Sequence, residues 1–118
     1  MEIVINVRTT GMNTITVIYM NGDVYPEDMQ AFTTDLKRTV NEIDIRKVVL
    51  NMGKVNFLPS LALGQLVAFQ KKIKKSGGSV KICSLTPNID KVFKLTRFDT
   101  LFDMYGSEEE AIKAYGTF

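Results

Sequence analysis

A serine, Ser60, stands where the run Gly53-Lys54-Val55-Asn56-Phe57-Leu58-Pro59 gives way to helical spacing, and a hydroxyl in that place has two uses. It can cap the helix by accepting from free backbone N–H groups, a contribution of ~1 kcal/mol. It can also carry a phosphate, because the positive end of a helix tolerates a dianion. Capping is favoured, since a capping hydroxyl is already engaged with the backbone. The other chemical groups are sparse. The chain has no histidine and one cysteine, Cys83, so the commonest general base and the usual zinc site are both unavailable. Cys83 lies in an apolar run and reads as an inert core residue. Asp99, Asp103 and Glu108 to Glu110 lack the regular ligand spacing of a cation loop. Lys71, Lys72, Lys74 and Lys75 read as a solvated helix end that offsets the helix dipole. Gly77-Gly78 follows a helix and precedes a strand, the reverse of the order that places a phosphate on a helix start. No metal site, no cofactor and no catalytic constellation is expected, and the chain is read as a non-enzyme.

The elements that would position these groups follow from periodicity. Glu2 to Arg8 alternates with Ile3, Ile5 and Val7 on one side, and Thr14 to Met20 is rich in β-branched residues, so the two predict an antiparallel hairpin around Thr10-Gly11-Met12-Asn13. Met29, Phe32, Leu36, Val40 and Ile43 recur at helical spacing after Pro26. Val48-Val49-Leu50 is continuously apolar, as a strand covered on both faces requires. A second helix begins near Ser60 with Leu63, Leu66, Val67, Phe69 or Gln70, and Ile73 inward, and stops at Gly77-Gly78. Ser79 to Ser84 predicts a strand. Thr86-Pro87 predicts a capped helix bearing Ile89, Val92, Phe93 and Leu95. Leu101 to Met104 predicts a last strand, and Ser107 with Glu110 forms a capping box for a last helix carrying Ala111, Ile112, Ala114 and Tyr115. The order β-β-α-β-α-β-α-β-α implies an α/β fold with a mixed, mostly parallel sheet packed by helices.

Composition agrees with one folded unit spanning residues 1–118. Apolar residues make up 45% and charged residues 24%, and 15 basic against 13 acidic residues leave a net charge of +2. That balance argues against disorder, and against nucleic acid or an anionic membrane as the main partner. No apolar run approaches the ~18 residues of a membrane span, and a solitary cysteine suits a reducing compartment. A cytoplasmic protein is expected.

The ordered segments Arg46-Lys47-Val48-Val49-Leu50-Asn51, Val55-Asn56-Phe57-Leu58, Leu63-Gly64-Gln65-Leu66, Lys75-Ser76-Gly77-Gly78, Leu85-Thr86-Pro87-Asn88-Ile89, Phe93-Lys94-Leu95-Thr96, Leu101-Phe102 and Ser107-Glu108-Glu109-Glu110-Ala111 resemble the STAS family, whose soluble bacterial members are anti-sigma factor antagonists. The resemblance implies a STAS fold over nearly the whole chain and a protein partner, an anti-sigma factor or related regulator. It also implies a phosphoserine switch. In that family the helix after the third strand opens with a motif like Asp-Ser-Ser-Gly-Leu-Gly, and the anti-sigma partner phosphorylates the second serine to abolish binding.

The motif here reads Pro59-Ser60-Leu61-Ala62-Leu63-Gly64. Leu61, which has no hydroxyl, takes the phosphoacceptor position, Pro59 replaces the acid and Ala62 the first glycine. A further family acid falls on Tyr25 in Gly22-Asp23-Val24-Tyr25. Tyr25, Leu58, Pro59, Ser60, Leu61 and Ala62 are therefore the expected partner-binding residues, with Ser60 the one displaced candidate for phosphorylation. A scaffold or accessory subunit of a stress-signalling or transporter complex is the alternative role, and a weak homodimer is compatible with either.

Overall fold

The computed structural model describes residues 2–10, 13–42 and 46–116. Two nine-residue strands, β1 (Glu2–Thr10) and β2 (Asn13–Asn21), pair antiparallel in unbroken register from Glu2 opposite Asn21 to Thr10 opposite Asn13. A 3-10 turn at Pro26–Asp28 leads into α1 (Met29–Glu42). The chain continues through β3 (Lys47–Lys54), α2 (Ser60–Lys75), β4 (Ser79–Cys83), α3 (Pro87–Thr96), β5 (Asp103–Tyr105) and α4 (Glu108–Ala114). Gly11, Met12 and Ile43, to which the hairpin turn and the last inward position of α1 were assigned, lie outside the described residues.

The strands stand in chain order, β1-β2-β3-β4-β5, with β2 to β5 parallel. Each parallel connection carries a helix, and crossovers of one hand stepping in one direction bring α1, α2 and α3 to the same face of the sheet. The packing agrees. Ile18, Met20, Val48, Leu50, Met52 and Ile82 from the strands share one buried cluster with Phe32 and Leu36 of α1, Leu63, Leu66, Phe69 and Ile73 of α2, and Ile89 and Phe93 of α3. The alternate strand residues Ile15, Val17, Val49 and Cys83 turn to the opposite face and pack under Ala111 and Ile112 of α4. This explains the run Val48-Val49-Leu50. With helices above and below, both faces of β3 are dry, and all three residues are buried.

The helix stops are set by backbone geometry. Gly77 takes φ +87°, and the Gly78 N–H donates to the Ile73 carbonyl at 2.9 Å, closing α2. At Gly78 a Cβ would stand 2.5 Å from the Arg46 carbonyl oxygen. The start of β4 is thereby drawn against β3, and the Ser79 N–H donates to that same carbonyl at 2.7 Å.

Several expectations from the sequence are corrected. The last strand lies at Asp103–Tyr105 and not at Leu101 to Met104: a 3-10 turn at Phe98–Thr100 precedes it, and it pairs with Lys81 to Cys83 of β4. Phe102 is buried and Leu101 is exposed. Leu95 is 76% exposed, since α3 ends in the left-handed residue Arg97 and its last turn clears the sheet. Thr86 sits at the N-cap of α3, but its hydroxyl donates to the Val55 carbonyl at 2.7 Å and ties two loops together. Phe69 and Gln70, offered as alternatives, are both buried. The Gln70 amide donates to the Leu101 carbonyl at 2.8 Å.

Candidate functional site

Two connections meet at the C-terminal ends of β2 and β3, where an α/β sheet leaves its loops free to carry specificity. The first runs from Gly22 to Pro26 and the second from Val55 to Pro59. Asp23 joins them. Its Oδ1 accepts from the Asn56 N–H at 2.7 Å and the Phe57 N–H at 3.2 Å, and its Oδ2 accepts from the Tyr25 hydroxyl at 3.3 Å. Backbone bonds reinforce the junction, from the Gly22 N–H to the Lys54 carbonyl at 3.1 Å and from the Val24 N–H to the Phe57 carbonyl at 3.1 Å. Val24, Val55 and Leu58 plug it from below and are buried.

This lacing presents a small apolar surface. The Tyr25 and Phe57 rings stack with centroids 5.4 Å apart and planes 22° apart. Tyr25 is 48% exposed and Phe57 44%. Tyr25 also heads the 3-10 turn, its N–H donating to Asp28 Oδ2 at 2.9 Å. The Asp23 charge, and its hydrogen bond from the phenol, hold the Tyr25 hydroxyl above its usual titration range. Leu61, in the first turn of α2, is 70% exposed. A leucine this open on a helix that buries Ala62, Leu63 and Leu66 is not held there by the core.

The expected site residues thus divide. Tyr25, Pro59, Ser60 and Leu61 reach the surface in whole or part. Leu58 and Ala62 do not, because their side chains are 6% and 0% exposed. They pack beneath the surface and do not form part of its exposed face. Ser60 is corrected as well. The residue that caps α2 is Pro59, extended at φ −73° and ψ 159°, whose carbonyl accepts from the Ala62 N–H at 2.9 Å and the Leu63 N–H at 3.4 Å. Ser60 is the first helical residue and is exposed. Two side chains of this candidate site are not singled out by the sequence. Phe57 falls in a predicted loop, where its place two residues before Pro59 is the one mark of an aromatic held at a loop tip. Asp23, two residues before the position assigned to the family acid, is the carboxylate that organises the site, and an acid following Asn-Gly at a strand end was its one sequence signal.

The remaining polar clusters serve the scaffold. Glu108, at the start of α4, accepts from Asn51 Nδ2 at 3.0 Å and from Arg8 Nη1 at 2.8 Å. Burial pushes its carboxyl up, but hydrogen bonds from Tyr19, Asn51 and Arg8, with the Arg8 charge, outweigh this and hold it below the usual carboxylate range. Ser107 caps α4 by accepting from the Glu110 N–H at 3.2 Å, while the Glu110 carboxylate takes the Gly106 N–H. Lys81 stands 4.8 Å over the Tyr115 ring and 5.3 Å over that of Tyr105, with Asp103 at 3.3 Å. Cys83 is buried, and burial raises its thiol pKa. Among the described residues no group of acidic, cysteine and histidine side chains is placed to hold a metal ion, and no helix is long and apolar enough to cross a membrane.

The fold defines a class of small α/β domains in which a five-stranded mixed sheet carries two laced loops at the ends of β2 and β3. The STAS domain model matches residues 6–111, and the chain belongs to that family. A Bordetella bronchiseptica protein, BtrV, named for an expected anti-sigma factor antagonist role, is 29% identical over 72 residues, covering 61% of this chain and 62% of that protein. The match thus spans about three fifths of that relative's length. Among solved structures, an anti-sigma factor antagonist from Mycobacterium paratuberculosis superposes with a TM-score of 0.77 at 22% identity, covering 96% of this chain and 93% of that one. The anti-sigma factor antagonist SpoIIAA in its unphosphorylated form superposes with a TM-score of 0.75 at 16% identity, covering 97% and 96%. The five-stranded mixed sheet with its helices is the fold these structures share.

Proposed function

We propose that this chain is a non-catalytic regulatory module, an anti-sigma factor antagonist that docks its partner through Tyr25, Phe57, Pro59 and Leu61. One observation carries the reading. Leu61, which the family resemblance sets at the position of a modifiable hydroxyl, is turned outward at 70% exposure. A stacked aromatic pair bridges the two loops beside it, Phe57 on the loop that leads to its helix and Tyr25 on the neighbouring one. Tyrosine and phenylalanine on a pinned loop lose little freedom when buried by a partner, which is what makes such residues effective anchors. Asp23, Glu27 and Asp28 border this surface in sequence and would suit a partner with a basic margin.

Docking of this kind is not gated by phosphate at position 61. Ser60 does not substitute for it, because one residue along a helix turns a side chain by about 100° around the axis. A kinase arranged to receive position 61 would meet Ser60 from the wrong side. Incubation of the chain with kinase-type anti-sigma factors of its own host and ATP, followed by intact-mass spectrometry, tests this. The expected result is binding without a mass increase. Stoichiometric phosphate on Ser60 would replace the unswitched reading with a displaced switch.

A further inference from the structure

The two edges of the sheet are unlike. β5 has three residues, while β1 has nine. Its pairing with β2 runs without a bulge, so alternate residues turn their N–H and C=O groups away from β2 along the whole edge. β1 contains no proline, no lysine and no bulge to discourage edge pairing, and its two charges, Glu2 and Arg8, are of opposite sign. Its residues on the side of α1 to α3 are Ile3 and Ile5, which pack against the main core, followed by Val7 at 60% exposure. The other side carries Glu2, Val4, Asn6 and Arg8.

We infer that β1 pairs antiparallel with β1 of a second copy about a two-fold axis at Ile5, joining two sheets into one. That register places Ile5 against Ile5 of the second copy. It sets Ile3 against Val7 of the second copy, so the exposed valine gains an apolar neighbour continuous with the core. It sets Glu2 against Arg8 of the second copy, and the symmetry repeats this opposite-charge pair at the other end of the ribbon. A shift of the axis by one residue in either direction loses the opposite-charge pair, and this charge complementarity, with apolar residues facing one another, points to a second copy as the occupant. Arg8 is already steadied by Glu108 at 2.8 Å and Glu109 at 3.5 Å, and its guanidinium keeps further donors for the incoming carboxylate. The inference rests on β1 alone and is independent of the docking face around Leu61.

Sedimentation equilibrium of the intact chain from about 10 µM to about 1 mM, the range of a small reversible interface, tests the association. The mass should rise from monomer toward dimer. Glu2→Arg should weaken it by roughly tenfold or more, since two cross-strand attractions become repulsions. Ile5→Cys should form an interchain disulfide on mild oxidation, because facing residues of an antiparallel pair lie about 4.5–5.5 Å apart between Cα atoms. Cys83 is buried and does not compete. Val7→Cys should not cross-link at a comparable rate, as the two copies of that position stand about 13 Å apart, four residues along the ribbon. A chain that stays monomeric to 1 mM overturns the inference. So does a dimer that ignores Glu2→Arg, or one in which Val7→Cys cross-links as fast as Ile5→Cys.

Discussion

Asp23 is the side chain that ties together the two loops of the proposed docking face, and Asp23→Ala gives a sharp test of that statement. The carboxylate accepts two backbone N–H groups and one phenol across two separate loops. Hydrogen bonds to a charged acceptor contribute about 1.5–3 kcal/mol when shielded. Asn56 and Phe57 are exposed, so solvent competes, and roughly 0.5–1 kcal/mol for each backbone bond is the appropriate scale. The loss for D23A is then about 1–2 kcal/mol, and about half as much for D23N, which keeps a neutral acceptor. With a urea slope of about 1–3 kcal/mol/M, the D23A midpoint should fall by roughly 1 M. Two local readouts separate this from general destabilisation. The Asn56 and Phe57 amides should exchange with solvent at least tenfold faster in conditions where the sheet amides are unchanged. The Tyr25 phenol, released from the Asp23 charge that raises its pKa, should titrate nearer the ordinary tyrosine value. Unchanged amide exchange at Asn56 and Phe57, with Tyr25 titrating as before, would refute the claim that Asp23 builds the site.

Other outcomes follow from the same geometry. Leu61→Ser should change stability by less than about 0.5 kcal/mol, as expected for an open surface position, and should render the chain a substrate for the host anti-sigma kinase, checked by denaturation and intact mass. Gly78→Ala should cost about 2–4 kcal/mol in urea unfolding, because a Cβ 2.5 Å from the Arg46 carbonyl forces β3 and β4 apart. Glu108 is held below the usual carboxylate range in the fold. Its contribution is therefore complete above the ordinary glutamate pKa of about 4.3 and is lost as pH falls through the lower folded value. E108Q should accordingly be less stable than wild type at pH 7, with the difference narrowing below about pH 4, measured by thermal unfolding across pH.

Much of the architecture was legible because long elements declare their period. Phe32 and Leu36, or Leu63, Leu66 and Ile73, follow the helical repeat and all are buried, while the apolar run at Val48 told of a strand covered on both faces. Short elements carry too few residues for a period to speak. Leu101-Phe102 looked like a strand, yet pairing with Lys81 to Cys83 selected Asp103–Tyr105 instead. Leu95 shared the helical spacing of α3, but whether the last turn still faced the sheet depended on the left-handed stop at Arg97. The site was half legible. Tyr25 and Leu61 could be flagged by what the family places there, but their exposure came from the fold. Ser60 was misjudged as a cap because the Pro59 carbonyl already serves the free amides. Asp23 follows Asn-Gly at a strand end, which marks it as a turn acid, but it lies more than thirty residues from the N–H groups it binds, and a single sequence does not reveal that pairing.

The central claim is that an outward leucine and a stacked aromatic pair form a partner-binding surface needing no phosphate switch. Calorimetric titration of a cognate anti-sigma factor with wild type, F57A and L61A, with and without ATP, addresses it most directly. The account predicts wild-type binding that ATP leaves unchanged, and a loss of about 1–2 kcal/mol in affinity for each truncation, or roughly five- to thirtyfold. Equal affinity for all three chains, or wild-type binding abolished by ATP, would contradict it.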